Sequence, residues 1–147
     1  MSAKARAQGV PVGPVRHAAG RPAAPVFPPG TPNAQIHASV APAEGEAVIV
    51  KHFPNAFRET PLKALLDELG VRELVIVGAM SHMCIDAGAR AAADQGYAVT
   101  VVHDACATRD LIFGGQTVPA AQVHGAFMAA LGSSSASLVD TEAWLAR

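Results

Sequence analysis

The run LVIV at residues 74–77 constrains this chain most: four consecutive apolar residues, three of them β-branched, closed by Gly78. So short and unbroken a run reads as a strand buried on both faces, the kind that parallel sheets contain. It passes through GAMSHMC straight into a helical stretch, read over residues 83–95 and stopped by Gly96. YAVTVV (97–102) is the next strand. Upstream, TPLKALLDEL (60–69) is the clearest helix, with Thr60 as cap and Pro61 at its first position. Leu62, Leu65, Leu66 and Leu69 form its apolar stripe, and Gly70 ends it. EAVIVK (46–51) reads as a short buried strand, and VPVGPV (10–15) as one weakened by Pro11, Gly13 and Pro14. Residues 119–131 read as a helix and SLV (137–139) as a last strand. Strands alternating with helices imply an α/β fold of three layers, α/β/α, on a parallel Rossmann-like sheet.

The 147 residues suit one domain, expected to span 1–147. Net charge is −1, which gives no electrostatic case for nucleic acid or an anionic membrane. No apolar run approaches the roughly 20 residues of a membrane span, and MSAKARAQGVPVGPV lacks the apolar core of a secretory signal. Two cysteines, Cys84 and Cys106, make no disulfide framework, so a reducing, cytoplasmic setting is expected. Eight of the eleven prolines fall in the first 42 residues, and residues 20–42 read as one long loop, a length that is usually functional or mobile.

In an open parallel sheet, sites form at the carboxyl ends of strands. Two candidates end there: Lys51 after EAVIV, and the GAMSHMC turn after LVIV. Cys84 is expected in the first turn of its helix, where unpaired N–H groups and the helix dipole favour a negative charge. A nearby ammonium favours it further, and both effects raise the thiolate fraction that a nucleophile requires. The same residues also admit a plainer reading, in which the thiol is a small buried hydrophobe and the lysine is solvated.

Lys51 in VIVKHFPNAFRETPL, followed by VIVGAMSHMCIDAGARAAADQGYAVTVVHDACATRD, resembles the isochorismatase-like cysteine hydrolase superfamily, which includes nicotinamidases and N-carbamoylsarcosine amidase. The resemblance covers nearly the whole chain. It lies in a strand-end Lys before Asn-Ala-Phe-x-x-Thr-x-Leu, a Gly-x-x-Ser-x-x-Cys turn and an Asp-Ala-x-Ala-Thr segment. It implies an Asp–Lys–Cys triad in which Cys84 is the nucleophile and Lys51 the lysine. It places a non-proline cis bond between Ala79 and Met80, aiming the Met80 N–H, with that of Cys84, at a developing oxyanion. His52, Phe57 and His82 adjoin the implied site as candidate substrate contacts. The substrate class implied is a small amide, imide or ureido compound cleaved at a C–N bond through a Cys84 thioester. Many relatives are oligomeric, so a homo-oligomer is expected.

The family's aspartate ends a first strand, an apolar run before Asp-x-Gln, and this sequence contains no such run. Residues 2–9 resemble the end of the family's first helix and VPVGPVRH its second strand. The expectation is therefore an N-terminally incomplete domain lacking the first, central strand, through a misassigned start or a true truncation, and unstable or inactive as it stands. Asp104, after YAVTVVH, is a remote substitute; the resemblance puts it in a turn. Asp86, Arg90 and Asp94 suggest a surface ion-pair ladder. Six histidines (17, 37, 52, 82, 103 and 124) raise the question of a metal, but VRHAAGRPAAPVF lacks the family's Asp-x-His spacing, so no metal and no other cofactor is expected. No Gly-x-Gly-x-x-Gly follows a strand, against dinucleotide binding. Two other readings remain open: a catalytically dead remnant with an assembly or binding role, and a non-hydrolytic thiol or ligand-binding domain.

Overall fold

The computed structural model describes residues 1–21 and 24–147. They fall into two compact units, Met1–Leu65 and Leu66–Arg147, with the division inside a helix.

The first unit opens with α1 (Ser2–Ala7). Arg6 on this helix grips Glu46 with two bonds, Nε to Oε1 at 2.7 Å and Nη2 to Oε2 at 2.8 Å. Glu46 also accepts the Ala43 N–H at 2.8 Å. These contacts hold its carboxyl down to about 2, the Arg6 hydrogen bond contributing most. Strand β1 is Val15–His17, later than the strand expected over residues 10–15, because Pro11, Gly13 and Pro14 keep the earlier residues out of a ladder. It runs parallel to β2 (Ile49–Lys51), pairing Val15 with Ile49, Arg16 with Val50 and His17 with Lys51. The loop expected over residues 20–42 includes Pro22 and Ala23, which lie outside the described residues; its described part contains short 3-10 turns at Pro32–Ala34 and Ala38–Val40.

Helix α2 is Leu62–Glu68, two residues shorter at its start than expected. Thr60 does accept the Leu62 N–H, at 3.3 Å, but its hydroxyl donates back to Ala56 at 2.6 Å and holds residues 56–60 in a turn of their own. Gly70, at φ +65°, ends the helix as the sequence suggests, with the Val71 N–H returning to the Leu66 carbonyl at 2.9 Å. Leu69 falls beyond the last turn and is 61 % exposed, so the leucine stripe is shorter than expected.

The second unit is built on a parallel sheet in the order β3–β4–β7: Glu73–Ala79, Ala98–Ala107 and Ser137–Val139. A five-residue π turn, Ser81–Ile85, leads into α3 (Asp86–Asp94). A hairpin, β5 (Leu111–Phe113) and β6 (Gln116–Val118), precedes α4 (Ala120–Ser134), and α5 (Thr141–Leu145) closes the chain. The core gathers Ile85, Ala89 and Ala92 below α3, Val99, Val101 and Val102 on β4, and Val123, Met128 and Leu131 on α4. Gly132 lets α4 lie close to β7: a Cβ there meets Leu138 Cδ1 at 3.0 Å. On α3, Arg90 pairs with Asp86 at 2.9 Å, one rung of the expected ladder.

Two expectations are corrected in this unit. The LVIV strand is not buried on both faces: Leu74 and Ile76 are half-buried, whereas Val75 and Val77 on the opposite pleat are exposed. And β4 does not stop at Val102 but continues to Ala107, because β3 pairs with it again at Gly78–Cys106 and Ala79–Ala107 after a slip in register. Asp104 therefore sits in a strand rather than a turn. Its carboxylate accepts the N–H and hydroxyl of Thr141, both at 2.8 Å.

Candidate active site

Cys84 lies on the π turn that follows β3, one residue before Ile85 anchors the turn in the core. The backbone arrives through Gly78, whose φ of +131° suits glycine alone, and through a cis peptide between Ala79 and Met80. Met80 is then extended, and its carbonyl receives two N–H groups: Met83 at 3.0 Å and Ile85 at 3.3 Å. The second closes the wider i→i+5 ring, so Cys84 sits in a π turn and not in the first turn of an α-helix as expected. Apolar periodicity does not distinguish the two, since it reports the buried face and not the ring size.

Two side chains pin this turn to the neighbouring strand. Ser81 is fully buried, with its Oγ 3.3 Å from the Ala107 carbonyl and 2.9 Å from His124 Nδ1 on α4. His82 Nδ1 bonds the Thr108 hydroxyl, and its ring meets Phe127 edge-on at 6.1 Å. Ala107 and Thr108 are the last two residues of the Asp-Ala-x-Ala-Thr segment, which explains why that segment and the Gly-x-x-Ser-x-x-Cys turn occur together. The parts played by His124 and Thr108 were not read from the sequence; Thr108 had a signal, its fixed place in the motif, and His124 had none.

Neither cysteine forms a disulfide, and both are half-buried. Burial pushes the Cys106 thiol upward, nearby Asp104 adds to the shift, and its Sγ donates to the Val102 carbonyl at 3.4 Å. A concavity of about 500 Å³ in this unit lies at the start of β4, against Tyr97, Thr100, Ser133 and Ser137, and includes none of the implied site residues.

Lys51, His52 and Phe57 belong to the first unit. Lys51 is not solvated as a strand-end lysine ordinarily is; it is 5 % exposed. Its Nζ donates to the carbonyls of Phe53 at 2.9 Å and Pro54 at 3.1 Å, and lies 3.1 Å from His17 Nδ1. The parallel register of β1 and β2 sets His17 opposite Lys51, an arrangement that no local motif announces. Burial, with the charges of Lys51 and His52, lowers the His17 pKa, so His17 is neutral and free to accept from the ammonium. His52 bonds the Ala18 carbonyl at 2.7 Å. Phe57 is half-buried, and its N–H is held by the Asn55 side chain at 2.9 Å; the Arg58 guanidinium stacks on Phe53 at 3.6 Å. Among the described residues no three His, Cys, Asp or Glu side chains gather as a metal site, and no helix is long and apolar enough to cross a membrane.

Parallel strands joined through helices, with a thiol at a strand-to-helix junction, define an α/β protein of Rossmann-like layout, and comparison with known proteins assigns the lineage. The isochorismatase domain matches residues 1–140, and the chain belongs to the isochorismatase family of hydrolases. It is 51 % identical over 140 residues to the uncharacterised isochorismatase-family protein YddQ of Bacillus subtilis, covering 95 % of this chain and 78 % of that protein. It is 42 % identical over 107 residues to a streptothricin hydrolase of Streptomyces noursei, covering 71 % of this chain but only 39 % of that enzyme. A crystal structure assigned to the isochorismatase hydrolases, from Oleispira antarctica, superposes with a TM-score of 0.94 at 56 % identity, covering 99 % of this chain and 76 % of the other.

Proposed function

We propose that the chain is a cysteine hydrolase that cleaves the C–N bond of a small amide, imide or ureido substrate, with Cys84 as nucleophile. The observation that carries this reading is the mounting of Cys84: a half-buried thiol on a turn in which Ser81 is tied to residue 107 and His82 to residue 108. A nucleophile held in one place avoids the entropy cost of finding its substrate carbon. Attack of sulfur forms a C–S bond. Collapse of the tetrahedral intermediate breaks the C–N bond, and the nitrogen leaves with the proton that was on the thiol. Water then cleaves the thioester, restoring S–H and releasing the acid. The Met80 N–H, beside the cis peptide, is assigned to the developing oxyanion, a donor of the kind worth about 2.7–4 kcal/mol in the transition state. Lys51 is assigned the cationic role that the family resemblance implies for it, with its Nζ 3.1 Å from His17 Nδ1.

The test is turnover of an amide, imide and ureido panel by the chain beside its Cys84→Ala variant, with intact mass read at early times. The sequence holds no counterpart of the triad aspartate, so turnover by the chain itself is expected to be slow; what hydrolysis there is should fall at least about 10³-fold on substitution, with an acyl adduct on the peptide containing Cys84. Equal turnover by the variant removes the nucleophile assignment. No turnover by a folded chain across the panel favours a catalytically silent binding role instead.

A further inference from the structure

The first unit is cationic although the whole chain is close to neutral: residues 1–65 carry seven Lys and Arg against three Glu and no Asp. Arg6 is matched by Glu46 and Arg58 by Glu59. Arg16 on β1 has no acid beside it among the described residues. Its Nη1 donates to the Gln35 side-chain oxygen at 3.2 Å, and its Nε is buried with no acceptor. A buried donor without a partner costs stability and calls for an explanation. Beside this guanidinium lies a hollow of about 340 Å³. Arg16 and Val50 are neighbours across the β1–β2 ladder; Val48, Ile36 and Pro42 complete an apolar wall, and Gln35 is the other polar group. The wall is fixed by bonds made elsewhere in the unit. Ala34, 2 % exposed, anchors the chain just before Gln35, whose N–H returns to the Pro32 carbonyl at 3.0 Å. Next to Pro42, the Ala41 carbonyl accepts from Arg6 Nη2 at 3.2 Å, on the same guanidinium that grips Glu46. A hollow held in this way costs little to order when something enters it.

The geometry points to a binding site for a small aliphatic monocarboxylate, its carboxylate on Arg16 and its chain against Ile36, Val48 and Val50. The guanidinium selects an anion. Its planar fork suits a carboxylate, which accepts two charge-assisted bonds where the neutral Gln35 amide accepts one. Among the described residues no second cation lines the hollow, so a doubly charged anion would be left half matched. No ring lines it either, which leaves nothing for an aromatic ligand to stack on and favours an aliphatic chain. Its volume lies near the lower end of small-molecule sites, roughly 300–1,000 Å³, and is too small for a folded partner. Successive residues of a strand face opposite ways, so Arg16 and Val50 lie on the other face of the β1–β2 pair from His17 and Lys51. The proposal therefore stands apart from the chemistry assigned to Cys84 and Lys51.

Nitrogen–proton correlation spectra of the chain, recorded through a titration with sodium pentanoate, test it. The expected result is a saturable shift of the Arg16 Nε–H and of the Gln35, Val48 and Val50 amides. The Kd should be on the order of 1 mM, ordinary for so small a ligand. Pentanol keeps the chain and lacks the charge, and should bind at least about 10-fold more weakly. Acetate keeps the charge and lacks the chain, and should bind at least about 5-fold more weakly. Arg16→Met retains an apolar stem of similar length and should weaken pentanoate at least about 10-fold. Should that variant fail to fold, Val48→Asp, at an exposed position, sets a like charge against the carboxylate and is expected to act in the same direction. Absence of a saturable shift below about 20 mM, binding unchanged in a folded variant, or pentanol binding as tightly as pentanoate would each overturn the proposal. So would acetate binding as tightly, which would mean an adventitious anion only.

Discussion

Ser81→Ala removes one oxygen from the centre of the cysteine turn, and its cost follows from the partners. A carbonyl can only accept, so the single hydroxyl proton of Ser81 points to Ala107, and His124 must carry its own proton on Nδ1 and donate it to Oγ. Alanine loses both bonds, each worth about 1 kcal/mol net. The two abandoned partners are not equivalent. Ala107 is exposed, so water replaces the serine there; His124 is half-buried and is rehydrated less well. Because Ser81 is 0 % exposed, no water follows into the space of the lost hydroxyl. The expected destabilisation is about 1–2 kcal/mol, or a fall of about 3–6 °C in the unfolding midpoint for a chain of this length. Urea unfolding followed by dichroism measures it, beside Ser133→Ala, whose exposed hydroxyl bonds only the Ala130 carbonyl and whose loss should stay within about 0.5 kcal/mol. Equal effects in the two variants would refute the reasoning, as would ring-nitrogen shifts placing the His124 proton on Nε2.

Leu131 is fully buried on α4, so Leu131→Ala should cost about 2–5 kcal/mol in urea unfolding; a loss under about 1 kcal/mol would mean that this helix face is not core. Glu46 titrates at about 2 in place of its usual 4.5, chiefly through Arg6. A lowered carboxyl pKa stabilises the fold fully above 4.5 and loses that contribution as pH falls toward 2. In Arg6→Met the carboxyl midpoint should move back up toward 4.5 by carboxyl-resonance titration, and an unmoved midpoint would refute the pairing.

Much of the fold was legible because its signals are local. Gly70 and Gly96 stop helices where glycine supplies the left-handed residue, and the SLV strand falls within the bounds expected of it. Prolines 11 and 14 explain why β1 waits until Val15. The hairpin was legible as well, with Gly114-Gly115 between two apolar-bearing triplets, and it went unread because LIF and QTV are short. The ladder that extends β4 through His103 and Asp104 was not legible, since neither residue favours a strand and only the second pairing with β3 holds them there. The burial of Lys51 is of the same kind: His17 reaches it by register from 34 residues away, and the Phe53 and Pro54 carbonyls reach it by a turn that the Asn-Ala-Phe motif marks without describing.

The same distinction applies to Cys84. Its chemistry is local, since a thiol at a strand-to-helix junction can be read from seven residues. Its position is not. The ladder between β3 and β4 slips after Ile76 and resumes at Gly78, which brings Cys106, Ala107 and then Thr108 alongside the turn. Ser81 and His82 are fastened to that resumed segment, one to residue 107 and the other to residue 108, and the sulfur follows on the same turn. An added or deleted residue between Val102 and Cys106 therefore displaces the fasteners without touching the Gly-x-x-Ser-x-x-Cys motif. The two sequence segments act as one structural unit, and the irregularity in the sheet joins them.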